Sequence, residues 1–400
     1  MRQRHALLLV ENLPVPFDRR VWAEAQAIRR DGWRVSIVGP GFPGGRWHER
    51  VDGVEIYRFP FATTGAGLTG HLLEYAVAVP ALSILAALAH LRHRVDVIHA
   101  ANPPDFFFPL ARAFHRLGAA FIFDQHDPSP ELYRAQGGRR GGLIDSVLVW
   151  CERESFHAAD VVIATNESIA RLARDRGGID AGRVVVVRSS VDTARTFRVE
   201  ADQRLKKGRQ FLVVYVGVMG PQDGVDLFVR ACRGIADLLP GAARFMAIGD
   251  GSDRSRAQRL ASELGMEDEI EFPGRLTDAQ LRTALSTADL AIGPDPANGF
   301  NELCTMNKTL EYMAMGIPIV CFDLPETRAV AGDAARYAQP NDPLDLARRA
   351  VEILNEHDQG AAMARVGRAR MEGELRWERS VDALRRAYQL ATTAVSERRG

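Results

Sequence analysis

The chain has 400 residues, more than one hydrophobic core ordinarily accommodates, so two domains are expected. Basic and acidic side chains balance at 51 each, which leaves no net charge on which to build nucleic-acid binding. Four cysteines (Cys151, Cys232, Cys304, Cys321) without CxxC spacing exclude a disulfide framework and a zinc ribbon, and a reduced, cytoplasmic protein is expected.

The run Ala6–Val10 reads as a strand, not as the charged-then-apolar layout of an export signal. Strand-like runs continue at Arg34–Val38, Val54–Phe59, Val95–Ala100, Ala120–Phe123, Val161–Ala164 and Val184–Val187, with amphipathic stretches between them. This alternation is the signature of a parallel α/β sheet. Between the first two runs, Asp18 is placed to cap a helix whose first turn holds Arg19 and Arg20. Cations there oppose the helix dipole, so an anionic ligand or a carboxylate partner is expected. Leu72–Leu91 is apolar apart from Glu74, Ser83 and His90 and ends in Arg92-His93-Arg94. It fits a helix buried against a sheet, and alternatively an interfacial helix lying on a membrane. The loop Asn102-Pro103-Pro104-Asp105 is followed by three phenylalanines that suit either core or an apolar acceptor face. Phe123-Asp124-Gln125-His126-Asp127-Pro128-Ser129-Pro130-Glu131 then gathers titratable groups behind a strand, where Asp127 also suits a helix cap.

Residues 198–210 lack apolar periodicity and read as a linker between domains at 1–197 and 211–374. The strand pattern restarts at Phe211–Gly217, Ala243–Gly249, Ile270–Phe272, Leu290–Ile292 and Ile317–Phe322, with helices at Val225–Leu239 and Asp278–Thr287. A helical tail follows over Pro343–Glu356 and Glu374–Arg398, the last part (375–400) standing apart from the second domain. Ligands of open α/β sheets sit outside the carboxyl ends of strands, so the turns after strands are the candidates. The first of these, Gly217 to Gly224 with Gly220 and Gln222, lets backbone approach a pyrophosphate, or is an ordinary turn. Thr305, Met306, Asn307 and Lys308 open a helix whose free N–H groups and dipole suit a phosphate, and Glu311 suits a ribose diol. Gly316 and Pro318 end that helix.

The string Asn307-Lys308-x-x-Glu311-Tyr312-Met313-Ala314, with the His126-Asp127-x-x-Pro130-Glu131 element, resembles family 4 glycosyltransferases, in the branch containing bacterial polysaccharide and O-antigen-type enzymes. The resemblance implies a GT-B fold: two Rossmann-like domains facing across a cleft, with a last helix that crosses back to the N-terminal one. It implies transfer of a sugar from a UDP- or GDP-sugar to an acceptor hydroxyl with retention, with no metal and no cofactor beyond the donor. His126, Lys308 and Glu302 are the catalytic candidates it points to. Gly249, and the backbone at Arg275 and Leu276, would line the donor and its base. Asp18, Arg19, Arg20, Asn102, Asp105, Asp127 and Glu131 fall on the acceptor side.

Two positions depart from the family pattern. Val218 and Asp223 stand where the family has cations, so Lys308, with Arg275 second, is the expected replacement. The family's first glutamate falls on Leu303, leaving Glu302 one residue out of register, or Asn301 and backbone, to serve the sugar. The expected partners are a nucleotide sugar and an acceptor glycan, lipid-linked sugar or small molecule, with peripheral membrane contact through Leu72–Leu91 as one option. Two other readings share these features: a GT-B epimerase, and a noncatalytic nucleotide-sugar-binding partner of a membrane glycan-assembly complex. A nicotinamide dehydrogenase does not fit, because no G-x-G-x-x-G follows the first strand of either domain.

Overall fold

The computed structural model describes residues 2–60, 68–192 and 195–399, the side chains at 68–77 and 399 excepted. The chain divides into two compact units, one of residues 1–130, 139–188 and 380–400, the other of residues 131–138 and 189–379. Each is built on one doubly wound sheet.

In the first unit the strands are β1 (His5–Leu9), β2 (Arg34–Pro40), β3 (His48–Val51), β4 (Val54–Phe59), β5 (Val97–Ala101), β6 (Ala120–Gln125), β7 (Val161–Ala164) and β8 (Val184–Val186). Their order is β3-β4-β2-β1-β5-β6-β7-β8, and all neighbours are parallel except the β3–β4 hairpin at one edge. The order reverses between β1 and β5, which places a switch point at their carboxyl ends. β1, β5 and β6 are buried throughout, as continuous apolar runs covered by helices on both faces must be. The helices are α1 (Arg19–Arg30), α2 (Leu68–Arg92), α3 (Phe108–Arg116), α4 (Ser129–Ala135), α5 (Leu143–Ala158) and α6 (Glu167–Asp175). Residues 131–135 of α4 belong to the second unit.

Asp18 caps α1 as its sequence position suggests, accepting the Val21 N–H at 3.0 Å. On α2, Ala78, Leu82, Ala86 and Ala89 are buried in the core beside Phe59 and Phe114, with Leu85 and Leu88 packed against it. One face of the described part of this helix is therefore in the core, while Val79, Ile84 and Leu91 are exposed; the side chains of 72–77, the start of the Leu72–Leu91 stretch, lie outside the described residues. Among the described residues no helix is long and apolar enough to cross a membrane. Phe107 and Phe108 are core residues too, while Phe106 is half-buried.

The second unit contains β9 (Phe211–Val216), β10 (Ala243–Ile248), β11 (Ile270–Gly274), β12 (Leu290–Gly293), β13 (Ile319–Phe322) and β14 (Ala335–Ala338), ordered β11-β10-β9-β12-β13-β14 and wholly parallel. Its switch point lies between β9 and β12. The helices are α7 (Val225–Leu238), α8 (Arg254–Glu263), α9 (Asp278–Thr287), α10 (Asn307–Met315), α11 (Pro325–Ala331), α12 (Pro343–Asn355) and α13 (His357–Glu372). α9 starts on a full capping box, with Thr277 and Gln280 bonding each other's backbone N–H. Residues 198–210 are fastened to this unit: Arg198 donates to the Gly316 and Ser286 carbonyls at 3.0 Å each, and the Asp202 N–H donates to Thr287 Oγ1 at 2.9 Å.

α14 (Trp377–Arg399) follows, and from Ser380 onward it belongs to the first unit. Leu384, Ala387, Tyr388 and Ala391 complete the core on the β1 side of that sheet. Arg398 bonds both carboxylate oxygens of Asp160, and Arg385 bonds both oxygens of Asp31 at 2.8 Å.

Two strands and one long helix were not legible beforehand. β3 and β14 are only four residues each and carry charged residues, His48-Glu49-Arg50-Val51 and Ala335-Arg336-Tyr337-Ala338. α13 contains Gly360 and Gly367, which lower its helical propensity but serve packing: a Cβ at Gly367 would stand 3.3 Å from Met313 on α10.

Candidate functional site

In the second unit, the turn after β9 is closed by its own groups. The Tyr215 hydroxyl donates to the Val218 carbonyl at 2.6 Å, and the Gly220 N–H donates to Asp223 at 2.9 Å. Asp223, sitting where a cation would be expected, is thus a turn-former, and burial raises its pKa. Neighbouring turns press so close that side chains are excluded. A Cβ at Gly249, whose φ is +136°, would lie 1.8 Å from the Gly217 carbonyl oxygen, and one at Gly224 would lie 2.1 Å from the Pro294 oxygen. Gln222 is half-buried, and its carbonyl accepts from the Asn301 side chain at 2.8 Å.

Asp295 comes from the turn after β12, across the switch point from that loop. It forms a short ion pair with Lys308, and both are buried. The Lys308 ammonium also stands 5.3 Å from the Tyr215 ring centroid. Burial alone would lower its pKa; the Asp295 and Asp223 carboxylates outweigh this and raise it. A cation in the first turn of a helix is disfavoured by the dipole, and Asp295 supplies the compensation. Lys308 is therefore a fixed, buried charge, not a solvated surface lysine.

α10 begins at Asn307, two residues later than the sequence suggests, with extended Met306 in the cap position and no side-chain bond from it. Gly316 ends the helix in the left-handed region, φ +62°. Thr305 and Glu311 are half-buried and Asn307 is exposed. The Tyr312 hydroxyl accepts the Val216 N–H at 2.8 Å and ties α10 to the end of β9. Glu302 accepts the Gly299 N–H at 2.9 Å, so it shapes its own loop, and Asn301 is buried on the Gln222 and Pro296 carbonyls. Arg275 is exposed and Leu276 half-buried in the turn after β11.

In the first unit the turns after β5 and β6 are locked by one side chain. Asn102 Oδ1 accepts the N–H groups of His126 and Asp127 at 2.6 and 3.1 Å, while its Nδ2 donates to Asp105 and to the Asp127 carbonyl, both at 2.6 Å. Burial pushes the Asp105 carboxyl up to about 6 and also raises Asp127. His126 Nε2 lies 2.8 Å from Asp124 Oδ2 and 3.0 Å from Arg20 Nε. Burial would lower its pKa; Asp124 outweighs burial and Arg20, and raises it. Nε2 is thus held between the Asp124 carboxylate, which accepts from a protonated nitrogen, and the Arg20 Nε–H, which donates to an unprotonated one.

Around Asp124 stand His99 Nε2 at 3.2 Å and Arg20 at 3.4 Å, and Arg20 also pairs with Glu24 at 3.1 Å, one helical turn on. The Tyr388 hydroxyl is 3.1 Å from His99 Nδ1. Burial raises Glu24 to about 7, against the pull of Arg20. Burial would raise Asp124 too, yet His126 and Arg20 hold it well below the ordinary carboxylate range. The carboxylate partner expected for Arg20 is thus Glu24 with Asp124. Glu24, His99 and Asp124 present ligand atoms within 4.8 Å of one another, enough to hold an ion, although the Arg20 guanidinium already pairs with both carboxylates. Arg19 is exposed, and Glu131 pairs with Arg134 at 3.0 Å in the segment belonging to the second unit.

The structure thus groups Asp18, Arg20, Asn102, Asp105, His126 and Asp127 in the first unit, and Gly217, Gly220, Gln222, Gly249 and Lys308 in the second. Four polar partners escaped the sequence reading. Glu24 was signalled by its helical spacing from Arg20 and Asp295 by its place after a strand, whereas His99 and Tyr388 meet only through the fold.

A family described as a glycosyl transferase 4-like domain matches residues 18–189, and one described as glycosyl transferases group 1 matches residues 210–356. The D-inositol 3-phosphate glycosyltransferase of Thermomonospora curvata is 26% identical over 63% of this chain and 62% of its own length. The chain thus spans a little under two thirds of that relative. A sucrose-phosphate synthase from Thermosynechococcus elongatus superposes with a TM-score of 0.79 at 17% identity, covering 98% of this chain and 100% of the other. Anabaena HepE, solved in complex with UDP-glucose, gives 0.68 at 16%, covering 98% and 99%. These likenesses establish the GT-B fold. With a 4-like domain followed by a group 1 domain, the chain belongs to family 4 of the glycosyltransferases.

Proposed function

We propose that the protein is a glycosyltransferase that moves a sugar from a UDP- or GDP-type donor to an acceptor hydroxyl with retention of configuration, in polysaccharide or glycolipid assembly. The observation that carries this reading is the buried Lys308–Asp295 pair beside the glycine turn that follows β9. A cation fixed at the opening of α10, with the dipole of that helix behind it, is suited to the charge that builds on a departing diphosphate. Glu311, one turn further on, takes the ribose hydroxyls, and Asn301 or Glu302 the donor sugar. On the other unit His126, oriented by Asp124 and Asn102, contacts the reacting sugar. UDP is favoured by the UDP-glucose bound to HepE, and an acceptor hydroxyl on a small polyol by the name of the inositol-phosphate relative. On this reading Lys308 and the dipole of α10 neutralise the departing diphosphate without a metal, so turnover is expected to survive EDTA.

Calorimetric titration with UDP, GDP and their sugars tests the donor. Selective binding lost in Glu311→Ala supports the reading, because a ligand of the native state stabilises it by mass action. If none of the nucleotides binds, the donor site is wrong. Product analysis by NMR with the assigned donor then decides retention against inversion, and donor consumption without acceptor would indicate an epimerase.

A further inference from the structure

α5 buries one face, with Cys151, Glu152, Ser155 and Phe156 turned inward. Its opposite face carries an apolar stripe beside exposed Ser146, Arg153 and His157. Leu143, Val147 and Trp150, spaced four and three residues apart, are 84%, 47% and 52% exposed. A helix at a protein surface ordinarily presents polar side chains to water, so a second apolar stripe needs a partner. Trp150 packs its ring edge-on to Phe108 at 5.3 Å, which extends the patch onto α3.

Charge tells what the partner is. Arg139 and Arg140 are exposed just before the helix, and Arg153 is exposed one turn after Trp150. None of the three forms an ion pair among the described residues, in a chain whose net charge is zero. Arg112 lies over the Phe108 ring and pairs with Glu154, the acidic residue on this edge. An apolar stripe with a tryptophan, flanked by arginines, matches a surface that is negative outside and hydrocarbon within.

We propose that the α3–α5 face docks the protein on an anionic lipid bilayer, with Leu143, Val147 and Trp150 entering the headgroup boundary and Arg139, Arg140 and Arg153 pairing with lipid phosphates. This face uses residues of the first unit and the donor groups are residues of the second, so lipid binding and nucleotide binding are tested independently.

The test is cosedimentation of the full chain with vesicles of phosphatidylcholine alone and with added phosphatidylglycerol, over a range of salt. Binding to the anionic vesicles only, weakening with salt, is expected. Each arginine near such a surface contributes about 1 kcal/mol, so Arg139→Gln with Arg140→Gln should weaken partitioning by roughly 25-fold. Leu143→Glu with Val147→Glu should abolish it, while exposed Ile84→Glu on α2 leaves it unchanged; circular dichroism checks that each variant is folded. Equal binding to both vesicle types, or wild-type binding in the Leu143/Val147 variant, overturns the proposal. So does a self-associated wild type that the α5 variants dissociate without any vesicle binding, which would make a second copy the occupant.

Discussion

Lys308 is as much a structural residue as a binding one. Removing one partner of a buried ion pair leaves an uncompensated charge and costs about 3–5 kcal/mol. Lys308→Ala should therefore lower the melting temperature as well as nucleotide affinity, by calorimetry. The double change Lys308→Met with Asp295→Asn should regain most of the stability without regaining diphosphate binding; recovery of both would remove Lys308 from the donor site. His5 provides a pH test of a different kind. Its Nδ1–H donates to the His93 carbonyl at 2.7 Å, and its Nε2 lies 2.9 Å from the Ser36 hydroxyl, which can donate to the neutral ring. Burial lowers its pKa to about 4. Because the folded value is below the unfolded one of about 6.5, the contribution is complete above pH 6.5 and is lost as pH falls toward 4. The urea midpoint should drop across that window, on the order of 1–3 kcal/mol, and the drop should shrink in His5→Gln. The first of these two residues was legible from its motif, and its partner Asp295 was signalled by its place after a strand, whereas the His5 pocket comes from segments distant in sequence.

At the level of elements, the sequence reveals what is periodic and local. Strands β1, β4, β7, β9 and β12 and helix α9 coincide with their expected ranges to within a residue, because unbroken apolar runs and capping residues mark them. Polar four-residue edge strands and glycine-bearing α13 do not announce themselves, since pairing and close packing decide them. Of the candidate site, the loops were visible, but the Arg20–Glu24–Asp124–His126 network needed the sheet order that aligns β6 with α1. Two changes test elements. Gly249→Ala would place a methyl on the Gly217 backbone, in a conformation L residues avoid, and should displace the turn after β9: a fall in nucleotide affinity is expected together with roughly 2–4 kcal/mol of stability. Leu85→Asp with Leu88→Asp should unfold the first unit, by proteolysis and circular dichroism, because both side chains pack on its core.

The whole molecule joins two doubly wound sheets of the same strand logic, 3-2-1-4-5-6 in the second unit and an extended form of it in the first. Their interiors are separate, yet the first takes its last helix from the far end of the chain. Leu384 and Tyr388 are at most 2% exposed within that core. Leu384→Ala should cost about 2–5 kcal/mol in denaturant titration of the full chain. This borrowing has a consequence for synthesis. Residues 1–188 leave the ribosome with a gap along one face of their sheet, and at roughly 5–20 residues per second the filling helix arrives about 10–40 s later, after residues 189–379 have been made. The region translated first is thereby the one completed last, and during that interval its exposed apolar face is the part of the nascent chain most in need of a chaperone.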